Sequence, residues 1–173
     1  QQAFLLTTLS WVSIAIFGSL PFLLSDQNLS VVDAFFESMS GITTTGSTII
    51  TNLNETPKGI LLWRAMLQWL GGIGIIVMAI TLMPIMNVGG MQLFKVSSID
   101  TAEKILPKSK EISQRLIIIY LILTLVCATF YKLFGMNLFD SITHSMTTIA
   151  TGGFSNYNDS IGHFNSALIE ITS

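Results

Sequence analysis

The chain has 173 residues, of which half are hydrophobic and only 10% are charged, and its mean hydropathy is +0.66. This composition is too apolar for a soluble domain of this length and predicts a membrane protein. The net charge of -2 and the lack of a lysine or arginine run indicate no nucleic-acid partner. The single cysteine, Cys127, lies inside an apolar run and is interpreted as a packed thiol.

The first apolar segment, residues 3–24, contains 22 residues without a charge. This length is sufficient to cross a bilayer with some tilt. Because no charged segment precedes it, we interpret it as a helix of the mature protein and not as a signal peptide. It is the first predicted membrane helix, M1.

A shorter segment extends from Ser30 to Thr48. Ser30 and Asp33 form a helix-cap signal, and a run of about 12 apolar and hydroxyl-bearing residues follows. Such a helix would be roughly 18 Å long, well short of the ~30 Å hydrocarbon core. It ends in a Thr/Gly/Ser run, residues 43–48. The pattern predicts a re-entrant pore helix followed by a selectivity filter.

The second spanning segment, M2, is predicted over residues 59–86, and Arg64 and Gln68 interrupt it near its start. A charge inside a membrane helix is costly. Arg64 is therefore interpreted as an interfacial anchor, paired with a carboxylate near the preceding polar turn, in preference to a pore-lining residue. The glycines of this segment favour close helix packing over a hinge, and they are Gly71, Gly72 and Gly74.

Residues 87–113 break the apolar pattern. Together with Arg115 this segment holds five of the eight basic residues, so the positive-inside rule places it in the cytoplasm. The loops that follow the short helices would then face outward. A third spanning segment is predicted over residues 116–135, as the M1 helix of a second unit.

The segment from Ser30 to Thr48 returns 107 residues later as Asn137 to Ser155. The chain therefore contains an internal repeat of a unit made of M1, a pore helix, a filter and M2. Residues 166–173 are interpreted as the first turns of the second M2. Six equivalent pairs are identical: Asp33 and Asp140, Ser38 and Ser145, Met39 and Met146, Ile42 and Ile149, Thr44 and Thr151, and Gly46 and Gly153.

The two filter loops have the chemistry to bind a dehydrated cation through backbone carbonyls, aided by the negative ends of the pore-helix dipoles. No carboxylate lies in either loop, which favours a monovalent ion. Glu37 and His144 occupy equivalent places and are interpreted as supports that bond the loops from behind, in preference to a pH-sensitive gate. The predicted ligands are the carbonyls of Thr44, Thr45, Gly46, Ser47, Thr151, Gly152, Gly153 and Phe154.

These segments resemble the Trk/Ktr/HKT superfamily of potassium transporters, and most closely its TrkH-type bacterial members. The resemblance covers essentially the whole chain. It rests on DAFFESMSGITTTGST, on RAMLQWLGGIGIIVMAITLMPI with the following VGGMQLFK, and on HSMTTIATGGFSNYNDSIGHFNS. In this superfamily a filter glycine accompanies potassium and a serine in the first repeat accompanies sodium. Gly46 and Gly153 match the potassium form.

The resemblance implies four repeats around a pseudo-fourfold pore, with K+ as the transported ion and multi-pass insertion in the bacterial inner membrane. It also implies a homodimer and a cytosolic nucleotide-binding regulatory subunit of the NAD or ATP type. Neither an enzymatic activity nor an organic cofactor is expected.

The expected fold class is an all-α membrane protein with potassium-channel-like repeats. The first repeat covers residues 1–86, a cytoplasmic loop covers 87–112, and a second repeat, truncated at the start of M2, covers 113–173. The chain is accordingly interpreted as a fragment, because the third and fourth repeats that the resemblance implies are absent.

Three alternatives remain. One is a sodium-permeable or sodium/potassium-coupled member of the same superfamily. Another is an intramembrane serine hydrolase that uses Ser145 or Ser155 with His144, which is disfavoured because neighbours on one helix diverge by about 100°. The last is a noncatalytic membrane scaffold, which predicts that Gly46 tolerates alanine.

Overall fold

The computed structural model describes residues 2–86 and 102–173, which form helices and connecting loops without a β-strand among them. Two short 3₁₀ helices, Leu53–Glu55 and Ser160–Phe164, lie in the polar connections. The expected all-α fold class is confirmed. The α-helices are α1 (Gln2–Leu23), α2 (Val31–Ile42), α3 (Lys58–Met86), α4 (Ala102–Leu133), α5 (Leu138–Ile149) and α6 (Ala167–Thr172).

Three helices in the described part of the chain contain a segment long and apolar enough to cross a membrane. These segments are Leu5–Leu23 in α1, Lys58–Ala79 in α3 and Glu111–Leu133 in α4. Large apolar side chains such as Phe17 and Leu125 remain exposed on α1 and α4, as expected for surfaces that face lipid. The predicted spans 3–24 and 59–86 are confirmed, because α1 and α3 cover them with ends shifted by at most one residue.

The charged segment between the second and third spans is only partly a loop. Residues 87–101, which include much of the predicted cytoplasmic loop, lie outside the described residues. Helix α4 begins at Ala102, so the rest of the predicted loop belongs to the same helix as the third span. The lysines and glutamates in this stretch are good helix formers, and their polarity ends the apolar run without ending the helix.

The two short helices agree with the prediction in length and in their caps. Helices α2 and α5 each contain 12 residues, so neither is long enough to span a bilayer. The side chain of Ser30 accepts a hydrogen bond from the Asp33 N–H at 3.1 Å, and Asn137 accepts from the Asp140 N–H at 2.9 Å. Each cap fixes the start of its helix and thereby the position of the loop that follows it.

Helix α3, which belongs to the first repeat, packs against helices of both repeats. It packs against α1 and α2 of its own unit, and also against α4 and α5 of the second. The Trp63 indole donates to the Gly18 carbonyl at 2.9 Å, while the Trp69 indole donates to the Thr124 hydroxyl at 3.0 Å. Side chains of α3 therefore bond spanning helices of both repeats.

Replacing Gly71 with alanine is expected to destabilise the protein by about 1–3 kcal/mol. The added Cβ would overlap the main-chain carbonyl of Ile42, so α2 and α3 would have to separate. Gly74→Ala is the matched control on the same helix, because a Cβ at that position meets nothing within 4 Å. The midpoints of thermal unfolding of the two purified variants measure the difference. Equal midpoints would contradict a packing role for Gly71.

Candidate functional site

The loops that follow α2 and α5 share one backbone conformation. Thr44 and Thr151 have φ angles of 55° and 54°, and Gly46 and Gly153 have φ angles of 77° and 79°. Positive φ costs a side-chain-bearing residue about 1–2 kcal/mol. Because both copies hold a β-branched threonine in this conformation, we infer that the site requires it.

The N–H groups of the first loop face back toward α2. Those of Thr44, Thr45 and Gly46 donate to the carbonyls of Gly41 or Ser40 at distances of 2.9–3.5 Å. In a trans peptide the C=O of one residue points opposite to the N–H of the next. The carbonyls of Thr44 and Thr45 therefore point away from α2.

The second loop repeats this arrangement at its start. The N–H of Thr151 donates to the Thr148 carbonyl and that of Gly152 to the Thr147 carbonyl, both at 2.9 Å. By the same geometry the Thr151 carbonyl points away from α5.

Two of the eight carbonyls predicted as ligands already accept a hydrogen bond from a side chain. The Ser40 hydroxyl donates to the Ser47 carbonyl at 2.6 Å, and Gln68 Nε2 donates to the Gly152 carbonyl at 2.9 Å. A carbonyl without a protein donor is available to replace the water lost by a cation. Six predicted ligands accept no hydrogen bond from the residues that the structure describes: Thr44, Thr45, Gly46, Thr151, Gly153 and Phe154.

The two loops touch each other at Gly46. A Cβ added to this residue would overlap the carbonyl oxygen of Gly152. The first loop therefore needs glycine both for its φ of 77° and for the approach of the second loop.

Glu37 bonds the first loop from behind. Its side chain is completely buried, and its carboxylate accepts hydrogen bonds from the Thr48 hydroxyl at 2.8 Å and from the Ile49 N–H at 3.1 Å. Arg64 Nε donates to the same carboxylate at 2.7 Å. The buried charge of Glu37 is thus paired and hydrogen-bonded.

Arg64 is buried within the protein and does not extend to the surface as the predicted interfacial anchor would. It is 1% exposed, its Nη1 donates to the Ser155 carbonyl at 2.9 Å, and its guanidinium lies 4.1 Å from the ring centre of Phe154. The predicted pairing with a carboxylate is confirmed, but the partner is Glu37 of α2 and not a residue of the polar turn. Arg64 therefore links α2 to the second loop.

His144 makes the equivalent link in the second repeat. Its Nδ1 lies 3.0 Å from the Asp140 carbonyl and its Nε2 lies 3.1 Å from the Ser155 hydroxyl. Because a carbonyl can only accept, Nδ1 carries the proton and Nε2 accepts from Ser155. Ser155 is the equivalent of Thr48, so glutamate and histidine hold the same position of the two loops by different chemistry.

The pairing of Ser155 with His144 brings together two residues of the hydrolase alternative, but it lacks the third member of a triad. His144 Nδ1 meets a main-chain carbonyl, whereas the Asp140 carboxylate accepts from the Tyr157 hydroxyl at 2.8 Å. The Ser155 hydroxyl also accepts from the Tyr157 N–H at 3.2 Å. Ser145 donates within α5 and not to the histidine. This geometry fixes the loop and leaves the imidazole without a carboxylate to orient it.

Acidification is expected to destabilise the protein through His144. Burial lowers the pKa of His144 below its ordinary value of 6.5. The folded state then binds fewer protons than the unfolded state, so stability decreases as the pH falls below that value. His144→Gln, which keeps a donor and an acceptor, should flatten this dependence. Thermal unfolding between about pH 5 and 7 tests it, and equal slopes for both proteins would refute the assignment.

Sequence reasoning missed the role of Gln68. Its amide donates to the Gly152 carbonyl through Nε2 and accepts from the Phe154 N–H through Oε1, at 2.9 and 3.1 Å. The available signal was the spacing, because a polar residue one turn after Arg64 lies on the same face of α3.

Comparison with protein families supports this description of the chain. The family model TrkH, described as a cation transport protein, matches residues 1–173. The Trk system potassium uptake protein TrkI of Halomonas elongata is 48% identical over 163 residues, which are 94% of this chain and 33% of the relative. TrkH of Vibrio parahaemolyticus is 47% identical over 99% of this chain and 36% of the relative.

A solved structure shows the same fold. The crystal structure of the potassium transporter TrkH from Vibrio parahaemolyticus matches with a TM-score of 0.84 and 46% sequence identity. The match covers 98% of this chain and 33% of that chain. The chain therefore spans about a third of the length of the relatives it matches.

Proposed function

Because the chain belongs to the TrkH family of cation transport proteins, we propose that it is part of a transporter that takes up K+ through its two filter loops. One observation carries this proposal. Two helices too short to span a membrane end in loops with the same pair of positive φ angles, 107 residues apart. Non-helical backbone at membrane depth is tolerated where it lines a pore or is buried in protein.

The proposed ligands are backbone carbonyls. The carbonyls of Ser47 and Gly152 belong to the same loops, but each already accepts one hydrogen bond from a protein side chain. Glu37 and His144 support the loops from behind and do not contact the ion. The carbonyls without a donor in the described part of the chain are those of Thr44, Thr45, Gly46, Thr151, Gly153 and Phe154.

The absence of a carboxylate from both loops supports a monovalent ion. The glycines at positions 46 and 153 support K+ over Na+, because in the superfamily that the sequence resembles a filter glycine accompanies potassium. The alternative of a sodium-permeable transporter predicts that Na+ competes effectively with K+ for uptake.

We further propose a multi-pass protein of the bacterial inner membrane that acts as a homodimer with a cytosolic nucleotide-binding regulatory subunit. The names of the relatives, which refer to a Trk system, support an assembly of several components.

The proposed division into a first repeat (1–86), a cytoplasmic loop (87–112) and a second repeat (113–173) predicts labelling of Lys108 by an impermeant amine reagent from the cytoplasmic side. Labelling from outside would contradict this topology.

The proposed uptake is tested in a bacterium that lacks its own potassium uptake systems. The complete gene that contains this chain should restore growth on low-potassium medium, and Gly153→Asp in the second loop should not. Immunoblots of the membrane fraction control for insertion of both proteins. Failure of the inserted wild-type protein to restore growth, with or without its regulatory subunit, would contradict the proposal.

A further inference from the structure

Gln68 holds the second loop on both sides of Gly153. This fully buried side chain donates to the Gly152 carbonyl at 2.9 Å and accepts from the Phe154 N–H at 3.1 Å. Its amide also lies directly against Gly152, because a Cβ added to that residue would overlap it. One side chain thus fixes two successive peptide groups.

These two hydrogen bonds determine where the carbonyls of the second loop point. The Phe154 N–H is directed at Gln68, and in a trans peptide the Gly153 carbonyl points the opposite way. The Gly152 carbonyl is itself directed at Gln68, between the amide and Gly46. A Cβ at Gly153 would meet nothing within 4 Å.

The first loop has no counterpart to this arrangement among the described residues. Thr45 is the equivalent of Gly152, yet its carbonyl accepts no hydrogen bond there and points away from α2. Gln68 therefore gives the second loop two contacts that the described residues do not give the first loop.

We propose that Gln68 is a positioning residue for ion selection. It directs the Gly153 carbonyl toward the ion and holds the Gly152 carbonyl away from it. Without the amide, both peptide groups are free to rotate, and the second loop loses its fixed arrangement of ligands. A carbonyl site whose geometry relaxes discriminates less between ions of different size. This inference rests on the proposed function of the loops.

Two variants remove the same interaction from opposite sides. Gln68→Leu deletes the amide. Gly152→Ala places a Cβ where the amide lies and so displaces it. Alanine is compatible with the backbone at this position, because Gly152 does not have a positive φ. Each should lower the selectivity for K+ over Na+ by about tenfold or more, because the two hydrogen bonds that orient the second loop are lost. The double variant should resemble either single variant, because both act on one contact.

Selectivity is measured as K+ uptake by cells expressing the complete protein, with increasing Na+ as competitor, and amounts in the membrane are matched by immunoblot. Gln114→Leu, at an exposed position of α4, is the control and should retain wild-type selectivity. A structural role alone would lower the amount of inserted protein or the maximal rate without changing the ratio. Gln68→Met replaces the leucine variant if the latter is not inserted.

The outcomes separate the two proposals. If the wild-type protein takes up no K+, the proposed function fails. If the wild-type protein is selective for K+ and both Gln68→Leu and Gly152→Ala keep its selectivity, the positioning role of Gln68 is overturned while the proposed function stands.

Discussion

Replacing Gly46 with serine is expected to lower K+ uptake about hundredfold and to weaken discrimination against Na+, on the scale by which a displacement of about 1 Å disables a precise site. Gly46 has a φ of 77°, which disfavours any side chain, and its added Cβ would overlap the Gly152 carbonyl. Both loops would have to move apart at the point where they touch. Initial rates of K+ uptake with and without Na+ measure both effects.

Gly59→Ala is the control for this variant, because a Cβ at that glycine of the first repeat meets nothing within 4 Å. It should transport K+ at the wild-type rate. Wild-type uptake and selectivity in Gly46→Ser would contradict the assignment of this loop to the filter. Tolerance of Gly46→Ala would favour the scaffold alternative.

Replacing Arg64 with methionine is expected to destabilise the protein by about 3–5 kcal/mol. The substitution leaves the Glu37 carboxylate buried without its cation and removes the donor to the Ser155 carbonyl. A loss of this size is a large part of the stability of a typical domain. It should appear as a large fall in the thermal unfolding midpoint and in the yield of purified protein.

Adding Glu37→Gln to Arg64→Met should recover much of this stability, because glutamine removes the unpaired charge and still accepts from Thr48 and Ile49. Arg64→Lys should be intermediate, since its ammonium keeps the charge without the planar arrangement of donors that reaches both partners. If the double variant is as unstable as Arg64→Met alone, burial of an unpaired Glu37 is not the cause.

The sequence is sufficient to locate the short helices and their loops because their signals are local. Ser30 and Asn137 are caps within one turn of the helices they begin, and the 107-residue repeat aligns the two loops without knowledge of contacts. The spans follow from lengths of apolar sequence alone. These features require no knowledge of which residues come into contact in the folded protein.

The supports of the loops could not be predicted in the same way. Arg64 bonds Ser155 across 91 positions, and Gln68 bonds Phe154 across 86 positions. Both contacts depend on the packing of α3 between the two repeats. Hydropathy predicts that an arginine in an apolar segment lies at the membrane interface, because the cost of burying its charge is assigned without regard to a buried partner such as Glu37. The start of α4 was missed for a related reason, since charge ends a hydrophobic run but not a helix.

The central claim, that backbone carbonyls of the two loops bind the transported ion, is tested most directly by anomalous diffraction from crystals of the complete protein grown in Rb+. Rubidium substitutes for potassium and is located independently of the protein model. We predict an anomalous peak between the loops, within coordination distance of the carbonyls of Thr44, Gly46, Thr151 and Gly153. A protein that transports Rb+ but shows no ion at these carbonyls, or binds it at side chains elsewhere, would contradict the claim.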